Sequence, residues 1–335
     1  MNTGLVLGKF APLHKGHQYL IETSLSENEK TIVLIYDSPE VIAVPLRTRT
    51  AWIERLYPKV EVIEVVGAPS EVGSSPELTR KHEDVVFRAL KGQKVNAFYS
   101  SEFYGEHMSR ALGAVDRRID SCRRKFPISA TKIRQNLLSN KEYVHPLVYR
   151  DLVANICLLG APSTGKSTLT KALGDKYHTA IMHEHGRDYW EKNQVNRRLS
   201  KEQLLELAQQ HLILEEQALL RANRYLFTDT CAITTLLFSE YYHGDADEGL
   251  KVLAHQAVKR YSLFVLCADD IPYDNTWDRS GEANRAEFQS AQVAWLEEFR
   301  VPFLIARGDI QQRVAKVSDA LRSVDLLRPA LQILG

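Results

Sequence analysis

A chain of 335 residues is too long for one ordinary core, so two domains are expected. Hydrophobic residues make up 44% and charged residues 25%, proportions that exclude a disordered chain. With 43 basic against 42 acidic side chains the formal charge is +1, which excludes a global field for nucleic acid or an anionic membrane.

Short apolar runs alternate with amphipathic segments along the whole chain. In the first half, strands are expected at Leu5–Phe10, Thr31–Asp37, Val60–Val66 and Val95–Ser101. Helices are expected to open near Lys15, Arg47, Ser75, Glu102 and Thr131. The rhythm resets within Tyr143–Val153 and resumes with strands at Asn155–Gly160, Ala180–Glu184, Tyr225–Asp229, Ser262–Ala268 and Pro302–Ala306. Helices are expected at Lys166–Tyr177, Ser200–Arg224, Gly249–Tyr261 and Ala283–Phe299. Buried strands alternating with helices give an α/β class with two doubly wound parallel-sheet domains, 1–147 and 148–335. No Gly/Ser-rich or Pro-rich linker separates them.

The first chemical motif follows the first strand. GKFAPLHKGH leads from Phe10 through a Pro-containing turn into a helix, so His14 and His17 stand at a helix N-terminus. Free backbone N–H groups there favour a phosphate, and two imidazoles can donate to its oxygens as charge builds during transfer. Gly16 lets the backbone approach closely, and Gly8, Lys9 and Phe10 lead into the same phosphate site. Over a hundred residues later ISATKIR opens another helix, where Ser129 or Thr131 can cap and Lys132 and Arg134 reach a polyphosphate. A local basic cluster surrounds it: Arg117, Arg118, Arg123, Arg124 and Lys125.

The second motif is the strongest in the chain. Gly160-Ala-Pro-Ser-Thr164-Gly165-Lys166-Ser167 matches GxxxxGK[ST] between a strand and a helix that starts with Thr168. Its amides wrap phosphates, Lys166 reaches the β- and γ-phosphates, and Ser167 coordinates Mg2+. Asp229 closes an apolar strand and would serve the metal or the substrate hydroxyl; the plain alternative is a helix N-cap. Glu184 and Arg187 end another strand and suit either substrate binding or a structural ion pair. Arg279 is a candidate lid arginine, and Tyr241 or Tyr242 a candidate stacking surface.

The spacing GxFxPxHxGH…ISxTxIR resembles the nucleotidylyltransferase superfamily. GKFAPLHKGH, FYSSEFYG and FPISATKIR resemble, within it, the nicotinamide-mononucleotide adenylyltransferase domain of NadR-type proteins. EHGRD and FTDTCAITT are similar to segments of the kinase domain of the same family, so the resemblance spans nearly the whole chain. It implies two reactions: ATP-dependent phosphorylation of ribosylnicotinamide to the mononucleotide (NMN), and adenylylation of NMN by ATP to NAD. It further implies that His14, His17, Ser129, Thr131 and Arg134 hold ATP phosphates. Ser100, Ser101 and Tyr104 would lie near the pyridine mononucleotide. His183 stands where the family carries tryptophan, and Cys231 where it carries a second aspartate. The helix-turn-helix of NadR-type repressors finds no room before Leu5, so repression is not expected.

Two other readings compete. A fused adenylyltransferase and kinase of coenzyme A synthesis also joins these motifs, and a nucleotide sensor could bind without turnover. The intact His14, His17, Lys166, Ser167 and Arg134 weigh against a sensor, and the balanced charge against a nucleic-acid partner. Cys122, Cys157, Cys231 and Cys267 show no CxxC spacing, so a reducing cytoplasm fits them. No apolar run approaches the ~20 residues of a membrane span, and a homo-oligomer stays open.

Overall fold

The computed structural model describes residues 2–37, 39–41, 43–67, 75–101, 105–273 and 285–323. The chain forms two compact units, Met1–Asp151 and Leu152–Gly335.

The first unit runs β1 (Thr3–Gly8), α1 (Lys15–Glu27), β2 (Lys30–Tyr36), α2 (Leu46–Leu56), β3 (Glu61–Val65), α3 (Pro76–Leu90) and β4 (Ala97–Ser100). It continues with α4 (Gly105–Leu112), β5 (Val115–Arg118), α5 (Ala130–Gln135), a 3-10 turn (Leu138–Tyr143) and α6 (Pro146–Arg150). Its five strands are parallel in the order β3-β2-β1-β4-β5. β1 and β2 are buried on both faces, which is why their sequences are continuous apolar runs without alternation. Leu5, Leu7, Ile32, Leu34, Val86 and Phe98 share one core cluster. β5 was not legible in advance. Its sequence VDRR is mostly charged and its Val115 is exposed, because it lies at a sheet edge.

The second unit runs β6 (Ala154–Leu159), α7 (Lys166–Tyr177), β7 (Ile181–Met182), α8 (Gly186–Asn193), α9 (Lys201–Leu219) and β8 (Tyr225–Asp229). It ends with α10 (Ala232–His243), α11 (Glu248–Arg260), β9 (Leu263–Cys267), α12 (Arg285–Glu298), β10 (Phe303–Ala306) and α13 (Ile310–Ser323). The strands are again parallel, in the order β10-β9-β6-β8-β7. Alternate residues of β6 feed two cores. Ile156 and Leu158 pack with Leu169 and Leu173 of α7, while Cys157 and Leu159 pack with Leu207 of α9 and Ile233 of α10. α10 escaped the sequence reading because it packs against α9, α11 and α12 and so shows no polar stripe. The expected strand at Ala180–Glu184 contracts to Ile181–Met182.

Each sheet reverses its strand order at its central strand, between β1 and β4 and between β6 and β9. Parallel sheets open a crevice at such a switch, beyond the strand C-termini. The HKGH turn follows β1 and the glycine-rich loop follows β6, so both motifs occupy these positions.

Candidate active sites

In the first unit, the turn after β1 is held in an uncommon geometry. Phe10 adopts φ +46° while almost fully buried, and its ring meets His17 edge-on at 5.0 Å. The rings of His14 and His17 stack with centroids 3.8 Å apart. His14 is the N-cap of α1, and its Nδ1 accepts from the Gly16 amide at 3.1 Å and the His17 amide at 3.4 Å. This corrects one expectation. The amides of Gly16 and His17 are taken up by His14 and do not point free at a phosphate. The consequence is a fixed tautomer: an accepting Nδ1 leaves the proton on Nε2, where it can be donated. A Cβ on Gly16 would stand 3.0 Å from the His14 ring and crowd it.

Burial, then the nearby Arg123 guanidinium, lowers His14 to a pKa of about 4. Burial also pushes His17 well below its usual range, with His14 and Arg123 adding to the effect. Both imidazoles are therefore neutral donors at pH 7. Ser129 caps α5 by accepting from the Lys132 amide, and Thr131 Oγ1 accepts from Arg134. Arg134 also donates to the Ala11 carbonyl at 2.6 Å, which ties the second motif to the first across 123 residues. Lys9 pairs with Glu40 at 3.2 Å. Ser100 is buried at the end of β4, with Ser101 partly exposed beside it. Tyr104 lies outside the described residues.

Sequence reasoning missed Arg49. It is fully buried, donating to the carbonyls of Lys9 (2.5 Å), Tyr36 (2.9 Å) and Val44 (3.2 Å). This one guanidinium therefore joins the ends of β1 and β2 and fixes the turn that carries His14. In an amphipathic helix sequence it reads as one more surface arginine.

In the second unit the glycine-rich loop borders a cavity of about 410 Å³. Gly160, Thr164, Gly165, Lys166, Ser167 and Thr168 all line it, as do Glu184 and Arg187. Gly160 has φ +143°, and a Cβ there would lie 2.8 Å from the Cys267 carbonyl, so no other residue fits. Lys166 Nζ donates to the carbonyls of Gly160 (2.9 Å) and Ala161 (3.0 Å). Three distant side chains, none of them anticipated, brace the loop. Gln289 accepts from the Ala161 amide, Arg285 donates to Ser163 and Arg313 to Thr164.

Asp229 ends β8 and is 1% exposed, and among the described residues neither carboxylate oxygen has a well-formed hydrogen bond. The N-cap of the following helix is Cys231, so the plain capping role weighed for Asp229 is excluded. Burial pushes its carboxyl up to about 6; the Lys166 charge pulls it down, Glu184 pushes it up, and the Ser167 hydroxyl lowers it. Two buried, unpartnered carboxylate oxygens beside a serine hydroxyl suit a hard divalent cation. Among the described residues no three His, Cys, Asp or Glu side chains gather into a metal cluster.

Trp190, His211, Phe238 and Tyr242 also line the cavity, and Phe238 stacks nearly parallel on Tyr242. Tyr241 is exposed and is not in the lining. Arg279 lies outside the described residues. Trp190 and His211 were missed because their helix sequences, read alone, place them on packing faces.

These features define a chain that joins a nucleotidyltransferase-type unit to a P-loop nucleotide-binding unit. Residues 5–136 match the cytidylyltransferase-like family model and residues 155–313 match an AAA domain model. Over 357 aligned residues the chain is 29% identical to the trifunctional NAD biosynthesis/regulator protein NadR of Escherichia coli K12, covering 97% of this chain and 82% of that protein. The corresponding protein of Salmonella typhimurium LT2 is 28% identical, over 98% of this chain and 83% of its own length. The fold is shared with NadR in complex with NAD and AMP-PNP (TM-score 0.57, 22% identity, 96% of this chain, 95% of that one). It is equally shared with NadR in complex with NR (TM-score 0.60, 21% identity, 95% of each chain). The chain is a homologue of NadR.

Proposed function

We propose that this chain is a bifunctional NAD salvage enzyme. Its second unit phosphorylates ribosylnicotinamide with ATP, and its first unit adenylylates the resulting NMN to NAD and pyrophosphate. The observation that carries this reading is the pairing, in one NadR homologue, of a neutral two-histidine turn and a P-loop, each at the switch point of its own sheet.

In the adenylyltransferase the 5′-phosphate of NMN attacks the α-phosphorus of ATP and pyrophosphate leaves, so the protein positions and stabilises charge. His14 and His17 donate to ATP phosphate oxygens, and the charge of Arg123 helps keep both rings neutral. Gly8, Lys9, Phe10, Ser129, Thr131 and Arg134 complete the ATP site, and Ser100 and Ser101 contact the mononucleotide.

In the kinase, Lys166 leaves its loop carbonyls to follow the migrating γ-phosphoryl group, while Gly160, Thr164, Gly165 and Thr168 frame the polyphosphate. Asp229 accepts the proton of the 5′-hydroxyl, with Glu184 the alternative base. Ser167 and Asp229 would hold Mg2+, which would supply positive charge to offset that of the phosphates. Arg187 contacts the substrate, and Tyr242 with Trp190 flanks the pyridine ring. The motifs alone left open a fused enzyme of coenzyme A synthesis; these relatives do not favour it. Among the described residues no helix is long and apolar enough to cross a membrane, and three of the four free cysteines are buried. A reducing cytoplasm suits such thiols.

The test is product analysis after incubation with ATP, Mg2+ and ribosylnicotinamide. Both NMN and NAD should form in sequence. Absence of both products from a folded protein refutes the reading.

A further inference from the structure

The floor of the P-loop cavity holds an imidazole paired with a buried carboxylate. His211 of α9 is 7% exposed and lines the cavity. Its Nε2 is buried without a hydrogen-bond partner among the described residues, and Glu215 Oε2 stands 3.7 Å from it. Among the described residues Nδ1 has no hydrogen-bond partner, and the residue lines the cavity. Glu215 itself is fully buried. It accepts from Arg260, from Tyr261 Oη at 2.5 Å and from Asn155 Nδ2 at 3.0 Å, and Asn155 in turn accepts from Thr228. A carboxylate anchored on three sides cannot turn away from the ring. Its negative charge beside Nε2 favours the tautomer that carries the proton there, which leaves Nδ1 as a lone-pair acceptor. Burial, reinforced by His185 and Arg260, lowers His211 to about 4, so the ring is neutral at working pH.

The depth of this acceptor indicates which end of a substrate it meets. α9 connects β7 to the parallel β8 and so runs antiparallel to the strands. Its first turns carry the lining residues Leu204 and Leu207, and Glu215 lies deeper, level with Asn155 of β6. Asn155 is five residues, about 16 Å, before Gly160 along the strand. His211 lies four residues, about 6 Å, nearer the P-loop than Glu215. His211 is therefore roughly 10 Å below the phosphate end, about the span of a nucleoside whose 5′-hydroxyl faces Lys166 and Asp229.

We propose that His211, positioned by Glu215, is the specificity residue that reads the far end of the riboside by accepting a hydrogen bond from the ring carboxamide N–H. This rests on the kinase assignment above and adds a substrate choice to it. A lone pair welcomes the amide and repels a carboxylate in the same place, so the site selects the amide riboside over its acid counterpart.

The experiment measures kcat/KM of the full chain for ribosylnicotinamide and for the carboxylic acid riboside, with Mg2+ and ATP. The wild type should prefer the amide by about tenfold or more. His211→Leu should lower kcat/KM for the amide by roughly tenfold and leave the acid nearly unchanged, collapsing the ratio. His211→Gln keeps an acceptor and should retain part of the preference. Glu215→Gln places an amide N–H against Nε2, shifts the proton to Nδ1, and should collapse the ratio even where overall turnover survives. AMP-PNP binding and adenylylation of supplied NMN report whether each variant is folded. An unchanged ratio in His211→Leu overturns the assignment while the kinase reading stands. A wild type that prefers the acid also overturns it and places the ring end at Arg197 and Arg198, which line the same cavity. If neither riboside is phosphorylated, the functional reading fails and this inference falls with it.

Discussion

Replacing Asp229 with asparagine should make the protein more stable and the kinase far slower. Asp229 is 1% exposed, and burial moves its carboxyl from 3.8 to about 6. About two pKa units correspond to roughly 3 kcal/mol spent, at pH 7.5 and without metal or nucleotide, to keep this carboxylate charged in the folded state. Asparagine removes that cost. It leaves a buried amide with no built partner, which takes back about 1–2 kcal/mol. The net gain is about 1–2 kcal/mol, or roughly 3–6 °C in the melting of a unit of this size. Loss of the proton acceptor and metal ligand should lower kinase kcat by about 100-fold or more, with a smaller change in the KM for ATP. The assay pairs calorimetry in metal-free buffer with steady-state kinase kinetics. Near-normal turnover, or a melting point below the wild type, would refute the reasoning and make Glu184 the better candidate for the base.

Lys166→Ala should reduce ribosylnicotinamide phosphorylation by about 1000-fold or more and leave adenylylation of supplied NMN largely intact; joint loss of both in a folded protein would overturn the division of labour. His17→Ala should do the reverse, so that NMN accumulates from ribosylnicotinamide; normal NAD formation would remove the HKGH turn from the mechanism. Stability should decline on acidification. His211 and His14 both titrate near 4 when folded against 6.5 when unfolded, so the unfolded chain takes up the protons first. Stability held above pH 6.5 is therefore lost as pH falls toward 4, by about 1.4 kcal/mol per pH unit per histidine, and His211→Leu should flatten this limb in denaturation curves. Arg260→Met leaves the Glu215 carboxylate buried without its cation and should destabilise the second unit by about 3–5 kcal/mol; a change below 1 kcal/mol, read by urea titration, would mean that Glu215 is neutral there.

The parts of this protein visible in its sequence are those whose physics is local. A glycine-rich loop needs its glycines and lysine in one order, and Gly160 with φ +143° shows the constraint directly. Interior strands such as β1 and β6 announce themselves because burial on both faces demands uninterrupted apolar runs. A helix such as α9 announces its start through the Ser200–Gln203 capping box. Elements whose environment comes from elsewhere stayed hidden. β5 is charged because it sits on an edge, and α10 shows no periodicity because helices cover several of its sides. The candidate sites divide in the same way. Sequence alone pointed to His14, His17, Lys166, Ser167 and Asp229 as candidates, since each belongs to a pattern that follows or closes an apolar strand. Only the tertiary structure decided what surrounds them. Arg49 clamping two carbonyl ends, Arg134 holding Ala11, Gln289 and Arg313 bracing the loop, and Glu215 beneath His211 are all long-range partners. Their roles arise from burial and from the bonds that burial forces each polar group to make. Neither is a property of neighbours in the chain.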